Sequence, residues 1–424
     1  MAQSKVEKAV DRLVDERPGA ELLLPRYDDP AHPVADGIWR SGGTTAAYLI
    51  GTDAGRVVVN TGMGFEAAHH KRVFDAVHAG PTPYIITTQA HVDHVGGVGL
   101  FREPGTQYVA QADNPSCQAD DLRIQRLRYS TAMIWFGQLP EIIGRLVEES
   151  PGAPMDQDRP TPDILFEDRL RLTVGDLELE LIATPGGETR DACVVWLPQR
   201  RTALVSNLFG PLFPHFPNFN TLRGDRYRFA EPYLAAVETV RALRPEVLIT
   251  GRHDPIVGAA LIDASLARLH GAVDHVHRAT LDGINAGTDV LTLMREITLP
   301  DGVRVGQGYG RVPWAVRTFW ESYVGWFRLQ SSTELYPVDP RAATADLAGL
   351  LGAEAVLERA GEKLAAGEPV LALHLAEAVL ADDPDHPDAR AVALAAHEAL
   401  VATPDGDNFW LGGWLRDQIT HLRG

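Results

Sequence analysis

Short apolar runs separated by polar, glycine-containing turns dominate the first 260 residues of the chain. Each run is three to seven residues long, which predicts buried or half-buried strands. The predicted strands are residues 38–40, 46–50, 56–62, 84–86, 169–174, 177–183, 192–197, 202–206 and 246–250. Helical spacing predicts helices at 65–79 and 229–242 between them. Strands alternating with helices, with polar residues in the loops, predict an α/β sandwich.

Two regions depart from this pattern. Residues 112–160 are rich in Asp, Gln, Arg and Pro and predict an irregular insertion with one helix at 140–149. After residue 260 only helical spacing remains, which predicts an all-α second half. The candidate helices are residues 261–286, 314–327, 353–366, 369–381 and 387–401. We therefore expect two domains, residues 1–260 and 261–424.

Composition limits the kinds of partner. The chain has 424 residues, 45% hydrophobic and 23% charged, with a net charge of −18. This net negative charge disfavours binding to nucleic acid and to anionic membranes. No apolar leader or membrane-spanning run is visible, so a cytoplasmic protein is expected. The last three candidate helices carry more apolar side chains than three short helices can bury by themselves. Leu371, Leu373 and Leu375 are examples. This excess predicts a homodimer.

The candidate chemistry lies in residues 87–97, which follow the strand predicted at 84–86. His91, Asp93 and His94 fall within four residues, directly before the glycine pair 96–97. A strand-to-loop exit is a place where metal ligands from different strands converge. Imidazole and carboxylate groups suit zinc, with iron or manganese as alternatives.

This stretch resembles the His-x-His-x-Asp-His signature of the metallo-β-lactamase superfamily, with Gln89 in place of the first His. The resemblance implies an αββα sandwich and a two-metal site. One implied ligand set is Gln89, His91 and Glu188, and the other is Asp93, His94 and His253. The position that usually supplies a bridging carboxylate holds Asn207.

Other segments resemble the alkyl sulfatase branch of that superfamily. Residues 218–224 resemble its Asn-x-Tyr-Thr-Leu-Arg-Gly segment, which implies that Asn218 and Arg223 face the anionic group of the substrate. Arginine suits a sulfate because its planar fork donates two parallel hydrogen bonds. Residues 313–327 resemble the connecting segment, and residues 377–400 resemble the dimerisation domain. A sterol-carrier-like domain is not expected, since the chain ends at residue 424.

The resemblance implies a metal-dependent hydrolase in which metal-bound hydroxide attacks a small sulfate-ester-like substrate and Asp93 orients the water. Because Gln89 and Asn207 weaken the first set, we expect Asp93, His94 and His253 to bind metal more tightly, unless both substitutions are tolerated. Two other hypotheses about the function stay open. One is a same-fold metalloenzyme with a mononuclear site and other hydrolysis, elimination or iron redox chemistry. The other is a non-catalytic metal-binding protein.

Overall fold

The strand runs of the first half pair into two mixed sheets. The computed structural model describes residues 4–424, without the side chains of residues 20 and 405. Within those residues, one sheet has the order β1-β2-β3-β4-β5-β6-β7 and the other β13-β12-β11-β10-β9-β8. Their bounds are β1 His32–Ala35, β2 Ile38–Ser41, β3 Ala47–Thr52, β4 Gly55–Val59, β5 Tyr84–Ile86, β6 Gln107–Gln111, β7 Ile164–Phe166, β8 Arg169–Val174, β9 Leu177–Ala183, β10 Cys193–Leu197, β11 Thr202–Ser206, β12 Val247–Thr250 and β13 Ile256–Val257.

The remaining regular structure consists of helices. Their bounds are α1 Lys5–Asp15, α2 Ala67–Val77, α3 Val92–Val95, α4 Val98–Phe101, α5 Asn114–Arg123, α6 Gln125–Trp135, α7 Leu139–Glu149, α8 Ala230–Leu243, α9 Ala259–Asn285, α10 Val290–Glu296, α11 Val312–Val324, α12 Pro340–Leu351, α13 Ala353–Ala365, α14 Pro369–Leu380, α15 Pro387–Val401 and α16 Phe409–Arg423. None of the described helices is long and apolar enough to cross a membrane.

The main core lies between the two sheets. It joins buried side chains of β3 and β4, such as Ile50 and Val57, to buried side chains of β9 and β10, such as Leu181 and Val195. A second core on the outer face of the first sheet includes Phe74 of α2 and Phe101 of α4. On the second sheet, α9 lies against β12 and β13 and packs on α8. These layers confirm the predicted αββα sandwich.

The described chain forms two compact units that divide between residues 322 and 323, and the second unit ends at residue 424. Helix α9, α10 and most of α11 therefore belong to the first unit, whereas the sequence placed them after a boundary at residue 260. The functional division into a catalytic domain at 1–260 and a dimerisation domain at 261–424 stays a prediction. In the second unit, α12 to α15 enclose a small core of alanine, valine and leucine side chains.

The prediction of an irregular insertion at 112–160 was wrong in part. Three helices, α5 to α7, occupy residues 114–149. Both α5 and α7 have a proline in their first turn, where its fixed φ angle favours the start of a helix. Helix α5 has few apolar residues and a weak apolar face, so periodicity alone did not reveal it.

Candidate active site

The strand ends bring the candidate residues together at one edge of the sandwich. β4, β5 and β6 are parallel, and so are β11 and β12. Their carboxyl ends therefore meet at a common edge of each sheet. The loops that leave these ends carry Gln89 to His94, Asn207 and Arg252, while the β9–β10 connection carries Glu188.

The side-chain amide of Gln89 lies at the centre of the site. Its Nε2 is 2.9 Å from Glu188 Oε2, 3.1 Å from His91 Nδ1 and 2.9 Å from His94 Nε2. All four side chains are buried. The first predicted set, Gln89, His91 and Glu188, is thus assembled, together with His94 from the second set.

Asp93 is held by a separate chain of polar groups. Thr45 Oγ1 donates to Asp93 Oδ2, and Asn207 Nδ2 donates to the same Thr45 oxygen at 3.0 Å. Burial would raise the pKa of Asp93, but His94, His91 and Thr45 together hold that pKa well below its usual range. Asp93 is therefore an ionised carboxylate, 3.9 Å from His94 Nε2.

His253 lies among arginines. Burial and the charges of Arg17, Arg252, Arg40 and Arg26 lower its pKa to about 3. Its Nε2 is buried without a hydrogen-bond partner among the described residues, and the residue lines a cavity together with Arg252. That His253 completes a metal set with Asp93 and His94 stays a prediction.

Arg252, the residue before His253, interacts electrostatically with the carboxylates of the site. Burial lowers its pKa, and Asp93 and Glu188 are among the groups that oppose this effect. Its Nη1 donates to Leu23 O at 2.7 Å, and its buried Nε has no partner among the described residues. The motif that ends in His253 did not indicate this guanidinium.

The segment after residue 217 covers the site. Asn218 is buried, and neither Oδ1 nor Nδ2 has a hydrogen-bond partner among the described residues. Burial opposes the charge of Arg223, but Asp225, Asp121 and Asp93 raise its pKa, so it stays a cation near Asp93. Arg223 therefore lies close enough to the site to interact with Asp93, and the binding of a substrate anion by Asn218 and Arg223 stays a prediction.

Two further charged residues of this segment were missed by sequence reasoning. Asp225 Oδ2 lies 3.3 Å from His91 Nε2. Burial would lower the pKa of His91, but this carboxylate raises it. Arg228 Nη1 lies 3.6 Å from Glu188 Oε1 and donates to Asn218 O at 2.9 Å. Their position directly after the Thr-Leu-Arg-Gly run was the available signal.

A sequence model of the metallo-beta-lactamase superfamily matches residues 40–252, which is half of the chain. The chain belongs to this superfamily. A second model, described as alkyl sulfatase dimerisation, matches residues 294–406. Both matches confirm the resemblance drawn from the sequence.

The curated relatives are named alkylsulfatases. The linear primary-alkylsulfatase of Pseudomonas sp. (strain ATCC 19151) is 24% identical over 83% of this chain and 69% of its own length. The alkyl/aryl-sulfatase BDS1 of Saccharomyces cerevisiae is 24% identical over 76% of this chain and 52% of its own length. This superfamily member thus spans only about half to two thirds of these proteins.

A solved structure shares the fold. The stereoselective inverting sec-alkylsulfatase Pisa1 from Pseudomonas sp. aligns with a TM-score of 0.80 and 18% identity, over 100% of this chain and 78% of that one. A double mutant of PisA1 gives the same TM-score at 21% identity, over 92% of this chain and 65% of the other. The αββα sandwich and the helical region of this superfamily member are therefore shared with them.

Membership of the superfamily suggests a metal cofactor, typically zinc. The side chains as placed do not fit a two-metal centre. Among the described residues, no group of three or more His, Cys, Asp or Glu side chains could hold a metal. The amide nitrogen of Gln89 lies between His91, His94 and Glu188, within hydrogen-bond distance of each.

Proposed function

We propose that this chain is a sulfatase-like hydrolase that acts on a small anionic ester. The observation that carries the proposal is the charge interaction between Arg223 and the buried carboxylate of Asp93, with the unpartnered buried amide of Asn218 in the same segment as Arg223. An unpartnered buried amide and a guanidinium can together hold the oxygens of a sulfate group. The names of the curated relatives support the same substrate class.

The side chains have distinct roles in this proposal. Arg223 binds the anionic group, and the amide of Asn218 orients it. Asp93, fixed by Thr45, accepts a hydrogen bond from the attacking water and orients it. Zinc, iron or manganese remains a prediction from the family resemblance.

A cavity of about 580 Å³ is lined by Arg252, His253 and part of the 42–46 loop. Its other walls combine basic residues such as Arg17, acidic residues such as Asp28, and aliphatic side chains such as Leu22. We propose that these aliphatic walls accommodate a short apolar group of the ester.

The test is sulfate release from a panel of short and long alkyl sulfates by the full chain. We expect release from at least one of them, and its loss in the Asp93→Asn variant. Hydrolysis of phosphate or carboxylate esters but of no sulfate ester would contradict the substrate class. The absence of any turnover, with unchanged ligand binding in Asp93→Ala, would favour a binding protein.

The second candidate is a same-fold enzyme with other chemistry. Gln89 at the centre of the site favours it, because Gln89 stands where the superfamily signature has a metal-binding histidine. The panel above separates the two candidates. We also propose a homodimer, supported by the match of residues 294–406 to the alkyl sulfatase dimerisation model.

A further inference from the structure

The orientation of the Gln89 amide follows from its neighbours. Glu188 is a carboxylate and can only accept hydrogen bonds, so the amide group 2.9 Å from its Oε2 must be the nitrogen. An amide nitrogen carries two hydrogens and donates through them. One goes to Glu188, and the other points toward the two histidines.

The two histidines accept from this nitrogen. His91 Nε2 lies 3.3 Å from the carboxylate of Asp225, which places the ring proton of the neutral imidazole on Nε2 and leaves a lone pair on Nδ1 to accept from Gln89. His94 Nδ1 lies 3.3 Å from Thr88 Oγ1, whose own hydrogen is donated to Asn60 Oδ1. His94 Nδ1 is thus the donor, and its Nε2 offers the lone pair toward Gln89.

These are the lone pairs that a metal would require. A zinc ion binds deprotonated imidazole and carboxylate groups, and an amide nitrogen is not a ligand for it. Gln89 already directs its N–H groups at His91 Nδ1, His94 Nε2 and Glu188 Oε2. The amide and a metal therefore compete for the same atoms.

Arginine side chains supply positive charge that a metal ion would otherwise bring to the site. Arg228 lies 3.6 Å from Glu188, and Arg252 and Arg223 act on the carboxylate of Asp93. Guanidinium groups can offset buried carboxylates as metal ions do, and their charge disfavours an added cation.

We propose that the Gln89 amide, with Arg228 and Arg252, takes the place of the metal centre, so that the site is assembled without a resident metal. The proposal concerns the composition of the site and does not depend on which ester is hydrolysed. It replaces the expectation of a tight Asp93, His94 and His253 metal site.

The test compares the metal content of the full chain with that of a Gln89→His variant. Both are expressed with added zinc, iron and manganese, desalted and analysed by mass spectrometry. Restoring an imidazole supplies a third strong donor, so we expect Gln89→His to hold about tenfold more zinc than wild type. Gln330→His, which adds an exposed histidine in the second unit, is the control and should match wild type.

Stability gives a second readout that does not depend on activity. Excess chelator should leave the Tm of wild type unchanged. Gln89→Leu keeps the volume but leaves three buried acceptors unsatisfied, so its Tm should fall by about 5 °C. Stoichiometric metal in wild type, no zinc gain in a folded Gln89→His variant, or an unchanged Tm in Gln89→Leu would each overturn the proposal.

Discussion

At the scale of single residues, the direction of a side chain decides the site. The structure brings Gln89, His91 and Glu188 together, as the convergence of loops at strand ends predicts. The sequence did not predict that His94 would contact Gln89 of the other set, since a motif states the order of residues and not the direction of their side chains.

Arg223 offers the sharpest test of anion binding. Lysine keeps the charge but loses the planar pair of donors, so Arg223→Lys should lower kcat/KM for a sulfate ester by about 10²-fold. Arg226→Lys is the matched control, because Arg226 is exposed and pairs with Asp120. Steady-state kinetics check this prediction, and equal losses in both variants would contradict it.

His70 predicts a pH dependence of stability. It is buried, its Nδ1 lies 2.7 Å from Ser41 Oγ, and burial lowers its pKa to about 3. Between pH 6.5 and 3 the unfolded chain therefore binds a proton that the folded chain does not. The free energy of unfolding should fall with decreasing pH, with a contribution of about 1.4 kcal/mol per pH unit from this group.

The variant His70→Asn keeps a partner for Ser41 but cannot titrate in this range. Its loss of stability between pH 6 and pH 4 should be shallower than that of wild type by about the same slope. Denaturant unfolding at several pH values measures it, with the exposed His374→Asn as control. Parallel slopes for His70→Asn and wild type would show that His70 is not the group responsible.

At the scale of elements, nine of the thirteen described strands were predicted, and β1, β6, β7 and β13 were not. Apolar runs such as the one in β12 must be buried, so their pattern is strong. Helices α12 and α16 were not delimited from the sequence either. Hydrophobic periodicity reveals a helix only where its apolar and polar residues lie on clearly separate faces.

The loop at 42–46, which carries Thr45, depends on one buried carboxylate. Glu66 accepts from Thr44 N at 2.6 Å, from Tyr27 Oη at 2.7 Å and from Met63 N at 2.8 Å. Replacing Glu66 with Gln turns one accepting oxygen into a donor and leaves buried N–H groups unpaired. We expect a loss of about 2–4 kcal/mol in the free energy of unfolding, together with lower activity through Thr45.

Urea unfolding and kinetics of Glu66→Gln check this prediction. Glu141→Gln, an exposed change on α7, is the control and should lie within about 0.5 kcal/mol of wild type. A fully stable Glu66→Gln variant would mean that the loop is held by other contacts.

At the scale of the whole molecule, we expect the second unit to serve assembly, since residues 294–406 match the alkyl sulfatase dimerisation model. Leu347, Leu350 and Leu351 of α12 are 58%, 84% and 69% exposed. A cluster of exposed leucines favours burial against a partner surface. In a homodimer, Leu350→Asp should shift the equilibrium toward monomer, by about tenfold or more in dissociation constant.

Sedimentation velocity over a range of concentrations measures this equilibrium. Glu358→Lys, an exposed charge change on α13, is the comparison and should leave it unaltered. If wild type is itself monomeric at high micromolar concentration, the predicted dimer is wrong.

The replacement of the metal centre by Gln89 is tested most directly by anomalous diffraction at the zinc edge. Wild-type crystals would be grown with zinc in the solution. We predict density for the Gln89 amide between His91 Nδ1, His94 Nε2 and Glu188 Oε2, and no anomalous peak within bonding distance of them. A full-occupancy peak about 2 Å from His91 Nδ1 and Glu188, with Gln89 displaced, would contradict it.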